Sequence, residues 1–228
     1  MTFDGADDTD DIELAELERR IAKFEAKPTE HESAGGASLE TGLLWTIASL
    51  LGMFASAMLL LSEINYLRNP AGNLLCDVNP LVGCSTWFTA WQGTLIFDVP
   101  NALWGALFFA GMSGLGLVLL TGGRLHRSLW SLALVGISLG MIWVLWFGYQ
   151  SYVVAGSICP YCVIVWIAVI PLFVHILART LQAGHLGQSA SSAGSALVRN
   201  RWIVVAVLYV TLVAVTIIAF WNSWALVF

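Results

Sequence analysis

The chain has 228 residues, 58% of them hydrophobic and only 11% charged, with a mean hydropathy of +0.78. That excess excludes an ordinary soluble domain and describes an integral membrane protein. The net charge of −5 gives no sign of a nucleic-acid partner: twelve of the fifteen acidic residues lie within residues 1–40, and only Glu63, Asp77 and Asp98 follow.

Residues 1–40 read as an acidic inner tail. Within it Ile12, Leu14, Leu17, Ile21 and Phe24 recur at roughly helical spacing and Pro28 stops the run, which predicts a short amphipathic helix. Five apolar stretches follow, at 43–63, 101–121, 129–152, 157–178 and 202–222, each long enough to cross a bilayer. A backbone in lipid must satisfy its own hydrogen bonds, so all five are expected to be helices. The first begins after forty polar residues and is too long for the apolar core of a cleaved signal. Gly136 and Gly140 in the third have the spacing that permits close helix approach. His175, the clearest titratable residue within a span, lies toward the inner end of the fourth and reads as interfacial. Residues 183–201 read as a small-residue inner loop, and 202–228 carry the fifth helix.

Orientation follows from the basic residues. Arg19, Arg20, Lys23 and Lys27 precede the first span, Arg124 and Arg127 lie between the second and third, and Arg179, Arg199 and Arg201 lie between the fourth and fifth. Only Arg68 lies in the other set of connections. The N-terminus is therefore expected inside and the C-terminus outside. Residues 64–100 and the short turn at 153–157 then face outward, and Cys76, Cys84, Cys159 and Cys162 all lie in or against them, where disulfides can form and persist.

The outward segment "INYLRNPAGNLLCDVNPLVGCSTWFTAWQGTLIFDVP" is too long for a mere connector. Pro70, Gly72, Pro80 and Gly83 break its first half; Trp87, Phe88, Trp91, Leu95, Ile96 and Phe97 crowd its second. Aromatics of this kind suit the headgroup level, and a half-helix lying flat across the bundle mouth is expected.

A zinc site is disfavoured, because Cys-x7-Cys is a wide spacing for a zinc knuckle and an oxidising face competes against free thiolates, so no metal is expected. Cys76–Cys84 would serve as an inert staple, one of three pairings that four cysteines allow. Cys-x2-Cys closes too small a loop to staple anything. The redox reading explains more. Cys159 and Cys162 share one face of a helix N-terminus, close enough to bond, with Pro160 suited to the first turn. Unpaired amides and the helix dipole there favour a thiolate, the nucleophile of disulfide exchange.

Together "LLCDVNPLVGCS", "VPNALWG" and, about sixty residues later, "ICPYC" resemble the vitamin K epoxide reductase family over about residues 43–180. The resemblance implies an all-α integral membrane protein, a four-helix transmembrane bundle around a quinone pocket, here with a fifth transmembrane helix. It implies that Cys162 faces the quinone, that Cys159 resolves it and exchanges with Cys84, and that Cys76 meets an external disulfide carrier. Asn101 matches the family's asparagine that hydrogen-bonds a quinone carbonyl; capping the second helix, after Pro100, is its plainer alternative. Phe88 resembles a pocket-lining aromatic of the cap. Trp166 stands where vertebrate members carry a quinone-binding tyrosine, and an indole donates one hydrogen bond but accepts none. That departure weighs against vitamin K and epoxide chemistry more than against quinone reduction.

Many bacterial members continue into a thioredoxin-like domain, whereas this chain stops at Phe228. The expected partner is thus a separate periplasmic thioredoxin-fold oxidoreductase, beside membrane lipid, and the pattern resembles the actinobacterial branch. The activity implied is reoxidation of that partner in a bacterial inner membrane, with menaquinone as acceptor, generating disulfides for secreted proteins. The unrelated four-helix quinone-coupled disulfide generators place Cys-x2-Cys first in the chain; here it comes last. A non-catalytic scaffold or transporter with structural disulfides is the alternative from another class, though a transporter would be expected to show intramembrane charges or broken helices.

Overall fold

The computed structural model describes residues 16–17, 28–185, 187 and 190–221. Of the amphipathic helix expected in the tail, only Glu16 and Leu17 fall among these, and both are helical; the rest lies outside the described residues. Helix α1 is one short turn, Glu30–Ser33, opened by a capping box in which the Thr29 hydroxyl accepts from the Glu32 amide and the Glu32 side chain reaches back. Five helices long and apolar enough to span a membrane follow: α2 (Leu39–Arg68), α4 (Asn101–Leu120), α5 (Arg127–Tyr149, continued by a π-helical turn Gln150–Ala155), α6 (Pro160–Gln182) and α7 (Ser191–Ala219). Between α2 and α4 the outward loop forms one helical turn, α3 (Ser85–Phe88), and a 3-10 turn, Trp91–Thr94. In place of the expected half-helix, these two short turns form a cap that brings Trp87, Phe88 and Gly93 to the cavity described below.

Helix α6 is the centre of the molecule: 61% of its most apolar window is buried, against 6% for α7, which leans on it from outside. Lipid supplies no hydrophobic drive between helices, so backbone proximity does the packing. A Cβ at Gly42 would meet the Leu120 backbone at 3.2 Å, and one at Gly52 the Phe109 ring at 2.5 Å, so α2 and α4 lie against each other in antiparallel register. The fifth helix begins earlier than the expected 202. Residues 191–201, read as loop, are helical because the Ala- and Ser-rich stretch contains no proline and Gly194 seats against the Gln182 backbone. A second tie joins the two helices higher up. Pro171 has no amide to offer the carbonyl four residues earlier, and the Tyr209 hydroxyl donates to that Ile167 carbonyl instead, at 2.7 Å.

Three details of the packing add to the sequence reading. His175, toward the inner end of α6, is buried, with Nδ1 on the Pro171 carbonyl at 2.9 Å and its ring edge-on to Trp202 of α7. Residues 28–38, the end of the tail, fold under the bundle, where buried Arg179 donates to the carbonyls of Glu32 and Gly36 and lies over Trp130. A buried guanidinium needs acceptors, and the open backbone of this segment provides them. Gly136 and Gly140 do not bring helix backbones together: Gly136 seats the Phe108 ring of α4, where a Cβ would lie 3.1 Å from it, and Gly140 faces open volume. Helices α4 and α5 stand apart, and the missing side chains leave a cavity wall between them.

Candidate functional site

The outward loop is fastened to the start of α6 by backbone pairing. The Ile158 amide donates to the Leu81 carbonyl at 2.8 Å and the Gly83 amide to the Ile158 carbonyl at 3.0 Å. The loop on the other side is set by two acidic or amide side chains. Asn79 Oδ1 accepts from the amides of Leu81 and Val82, and Asp77 Oδ1 accepts from those of Cys84 at 2.6 Å and Ser85 at 3.1 Å. Burial works to raise the Asp77 carboxyl, but the Ser85 hydroxyl and these two amides outweigh it and hold the group below its ordinary value.

This framework brings three sulfurs together. Cys76 and Cys84 are joined as a disulfide, and Cys84 Sγ lies 3.6 Å from Cys159 Sγ. Cys159 is the N-cap of α6, fully buried, and its sulfur accepts from the Cys162 amide at 3.4 Å, while Pro160 occupies the first turn without an amide to strand. The Cys162 amide and the N-terminal end of α6 favour negative charge on the Cys159 sulfur, the form that takes part in exchange. Cys159 and Cys162 are both free. Cys76, Asp77 and Cys84 are the metal-type donors that cluster among the described residues, but both sulfurs are spent in the disulfide.

Cys162 faces the other way, into a cavity of about 360 Å³ enclosed by α2, α4, α5, α6 and the cap, a volume within the usual range for small-molecule sites. Phe88, Asn101 and Trp166, the three residues singled out by the resemblance, all line it, and Phe88 is held there by Tyr66 at 5.6 Å between ring centres. The capping alternative for Asn101 does not hold. Pro100 is the N-cap, and the Asn101 amide nitrogen donates to the Gln92 carbonyl of the cap at 2.5 Å. That bond fixes which way the amide faces and leaves Asn101 Oδ1 buried without a partner. The side chain therefore has one N–H to spare and one acceptor open.

Sequence reasoning missed much of the wall. Trp87 packs on Phe147 at 4.5 Å, and with Trp143 and Phe108 it makes the cavity aromatic. Trp143 and Phe147, four apart on α5, carry that signal in the sequence, though spacing alone does not separate a cavity wall from a lipid face. Glu63 also lines the cavity, from α2. A flat apolar molecule carrying oxygen atoms fits this donor set: aromatic walls for its faces, Asn101 for an oxygen, and a thiol beside it.

The family model described as the vitamin K epoxide reductase family matches residues 43–177, more than half of the chain. No curated protein matches it.

Proposed function

Because the chain belongs to the vitamin K epoxide reductase family and is thus a multi-pass membrane thiol-dependent oxidoreductase acting on a quinone or epoxide, we propose that it reoxidises a separate periplasmic thioredoxin-fold oxidoreductase at the expense of menaquinone. It would do so in a bacterial cell membrane, with the N-terminus inside and the cysteines outside, as the source of disulfides for secreted proteins.

The relay balances sulfur by sulfur. A partner thiolate attacks Cys76, and Cys84 leaves as the thiolate. Cys84 attacks Cys159 of a Cys159–Cys162 disulfide, and Cys162 leaves toward the cavity. The partner's second thiolate takes its first sulfur back and departs oxidised, freeing Cys76. Cys76 then attacks Cys84, restoring their disulfide and releasing Cys159. The outcome is the arrangement described above, with Cys76–Cys84 joined and Cys159 and Cys162 both free. Closing Cys159–Cys162 gives up two electrons and two protons.

Quinone bound in the cavity supplies the acceptor for those electrons. Asn101 offers its spare N–H to a carbonyl oxygen and its open Oδ1 to the hydroxyl that reduction produces, so the residue suits both ends of the reaction. Trp166 contributes an aromatic wall.

The observation that carries this reading is the 3.6 Å contact of Cys84 with Cys159 while Cys162, one turn on, lines the cavity. The test is reduction of a menaquinone analogue by detergent-solubilised protein with a small dithiol as donor. Wild type is expected to reduce it and Cys162→Ala is not. Equal rates, or none from either, overturn the reading in favour of a scaffold.

A further inference from the structure

Among the residues that line the cavity, Glu63 and Cys162 are the two that ionise. Glu63 is 7% exposed, and among the described residues no hydrogen bond or ion pair engages its carboxyl. Its isolation is not for want of charges at this end of the bundle. Arg68, five residues on along α2, is exposed, as is Asp98 at the tip of the cap, while Tyr66 is spent against Phe88. An ionisable side chain buried in a membrane bundle without a partner is costly, and such groups mark the paths of ions and protons. An anion at this position would have no cation beside it among the described residues, which makes the proton-bearing form the one such a site favours.

The level of the carboxyl is set by the packing of α2 on α4. A Cβ at Gly52 would touch the Phe109 ring and one at Gly105 would lie 2.8 Å from Ser56 Oγ. In that antiparallel register residue 60 stands opposite Asn101, and Glu63 lies three residues further out, about 4.5 Å along the axis. The carboxyl is thus one turn from the amide that holds an oxygen of the bound ring, on the side toward the cap and outer water.

We propose that Glu63 is the proton carrier of this cavity, giving its proton to a quinone oxygen as Cys159 and Cys162 close. The inference rests on the function proposed above. Two thiols become one disulfide and release two electrons and two protons. The ring takes up both electrons, one oxygen takes the proton from Glu63 Oε and the other takes one released from sulfur. The second proton from sulfur returns to the Glu63 carboxylate, so the quinone leaves as hydroquinone and Glu63 ends as it began.

The experiment compares wild type, Glu63→Gln and Glu63→Asp in detergent, each reduced at Cys159 and Cys162, with intact mass and helical circular dichroism confirming the fold. Three quantities are read: the infrared carbonyl stretch of a protonated carboxyl in quinone-free protein, the dissociation constant of a menaquinone analogue, and the single-turnover rate of thiol oxidation against pH. Wild type is expected to show the band. Glu63→Gln is expected to lose it, bind the analogue within about threefold of wild type, and react roughly 10²–10⁴-fold more slowly with a flattened pH profile. Glu63→Asp should recover part of the rate. The proposal fails if the band is absent from wild type, if Glu63→Gln keeps the rate and profile, or if its loss lies wholly in the dissociation constant. Wild type that leaves the analogue unreduced defeats the proposed function as well, whereas a competent wild type beside an equally competent Glu63→Gln defeats only the role of Glu63.

Discussion

Cys84 and Cys159, 75 residues apart in the chain, hold their sulfurs 3.6 Å apart in a buried contact. The Cys84 sulfur is already bonded to Cys76, so Cys84 has one neighbour by covalent bond and another by contact. Exchange between the two requires a shift of sulfur positions much smaller than a side chain's reach, and no unfolding of the loop.

With both competing partners removed, that proximity becomes measurable. In the double variant Cys76→Ala, Cys162→Ala, the two remaining cysteines are expected to close into a single disulfide under mild oxidant. Alkylation followed by intact-mass analysis reads it directly. Two freely alkylated thiols after oxidation would show that the contact does not persist in the membrane.

Asp77 makes the loop pH-sensitive with a definite sign. Its carboxyl lies below its ordinary value when folded, so its bonds to Cys84 and Ser85 contribute fully above the unfolded value of about 3.9 and are lost as pH falls through the folded one. Protection of residues 64–100 from limited proteolysis should therefore hold from neutral pH down to about 4 and fall below it. Asp77→Ala should sit lower by about 1 kcal/mol above that pH, discounted for a largely solvated carboxylate, show no such fall, and converge with wild type below it. An unchanged acid limb in Asp77→Ala would assign it to another group.

A side chain added at Gly140 tests the cavity independently of the sulfur relay. A Cβ there would find only Ile137 at 4.0 Å, so a larger side chain enters open volume without striking a neighbouring helix. Gly140→Leu should raise the dissociation constant of a menaquinone analogue at least tenfold, about 1.4 kcal/mol. It should leave thermal stability in detergent and formation of the Cys84–Cys159 disulfide unchanged. Intact binding in this variant would place the ligand elsewhere.

The five spans were legible because length and hydropathy alone decide whether a segment suits lipid, and the cysteine spacing was legible because exchange chemistry constrains it. What was not legible depended on pairs of distant residues. Gly136 and Gly140 have the same spacing whether they face a helix or a void, and only the separation of α4 from α5 decides between them. Glu63 sat at the edge of a predicted span, where an acid is expected to meet solvent; the helix continues to Arg68 and the cap closes over it. The packing of residues 28–38 under the bundle follows from the hydrogen-bonding need of Arg179, nearly 150 residues away.

The backbone pairing between Leu81–Gly83 and Ile158 has a consequence for how this loop can vary. Because the sulfur spacing is held by a short clamp at one end of the loop, the stretch at its other end, around Asn69–Asn73, carries none of that responsibility and is largely exposed. Extra residues spliced in there would lengthen the tether without touching the clamp. The site is thus modular in chain length: a reporter peptide could be carried at Gly72, and related chains are free to differ in size at that point while conserving the chemistry a few residues on.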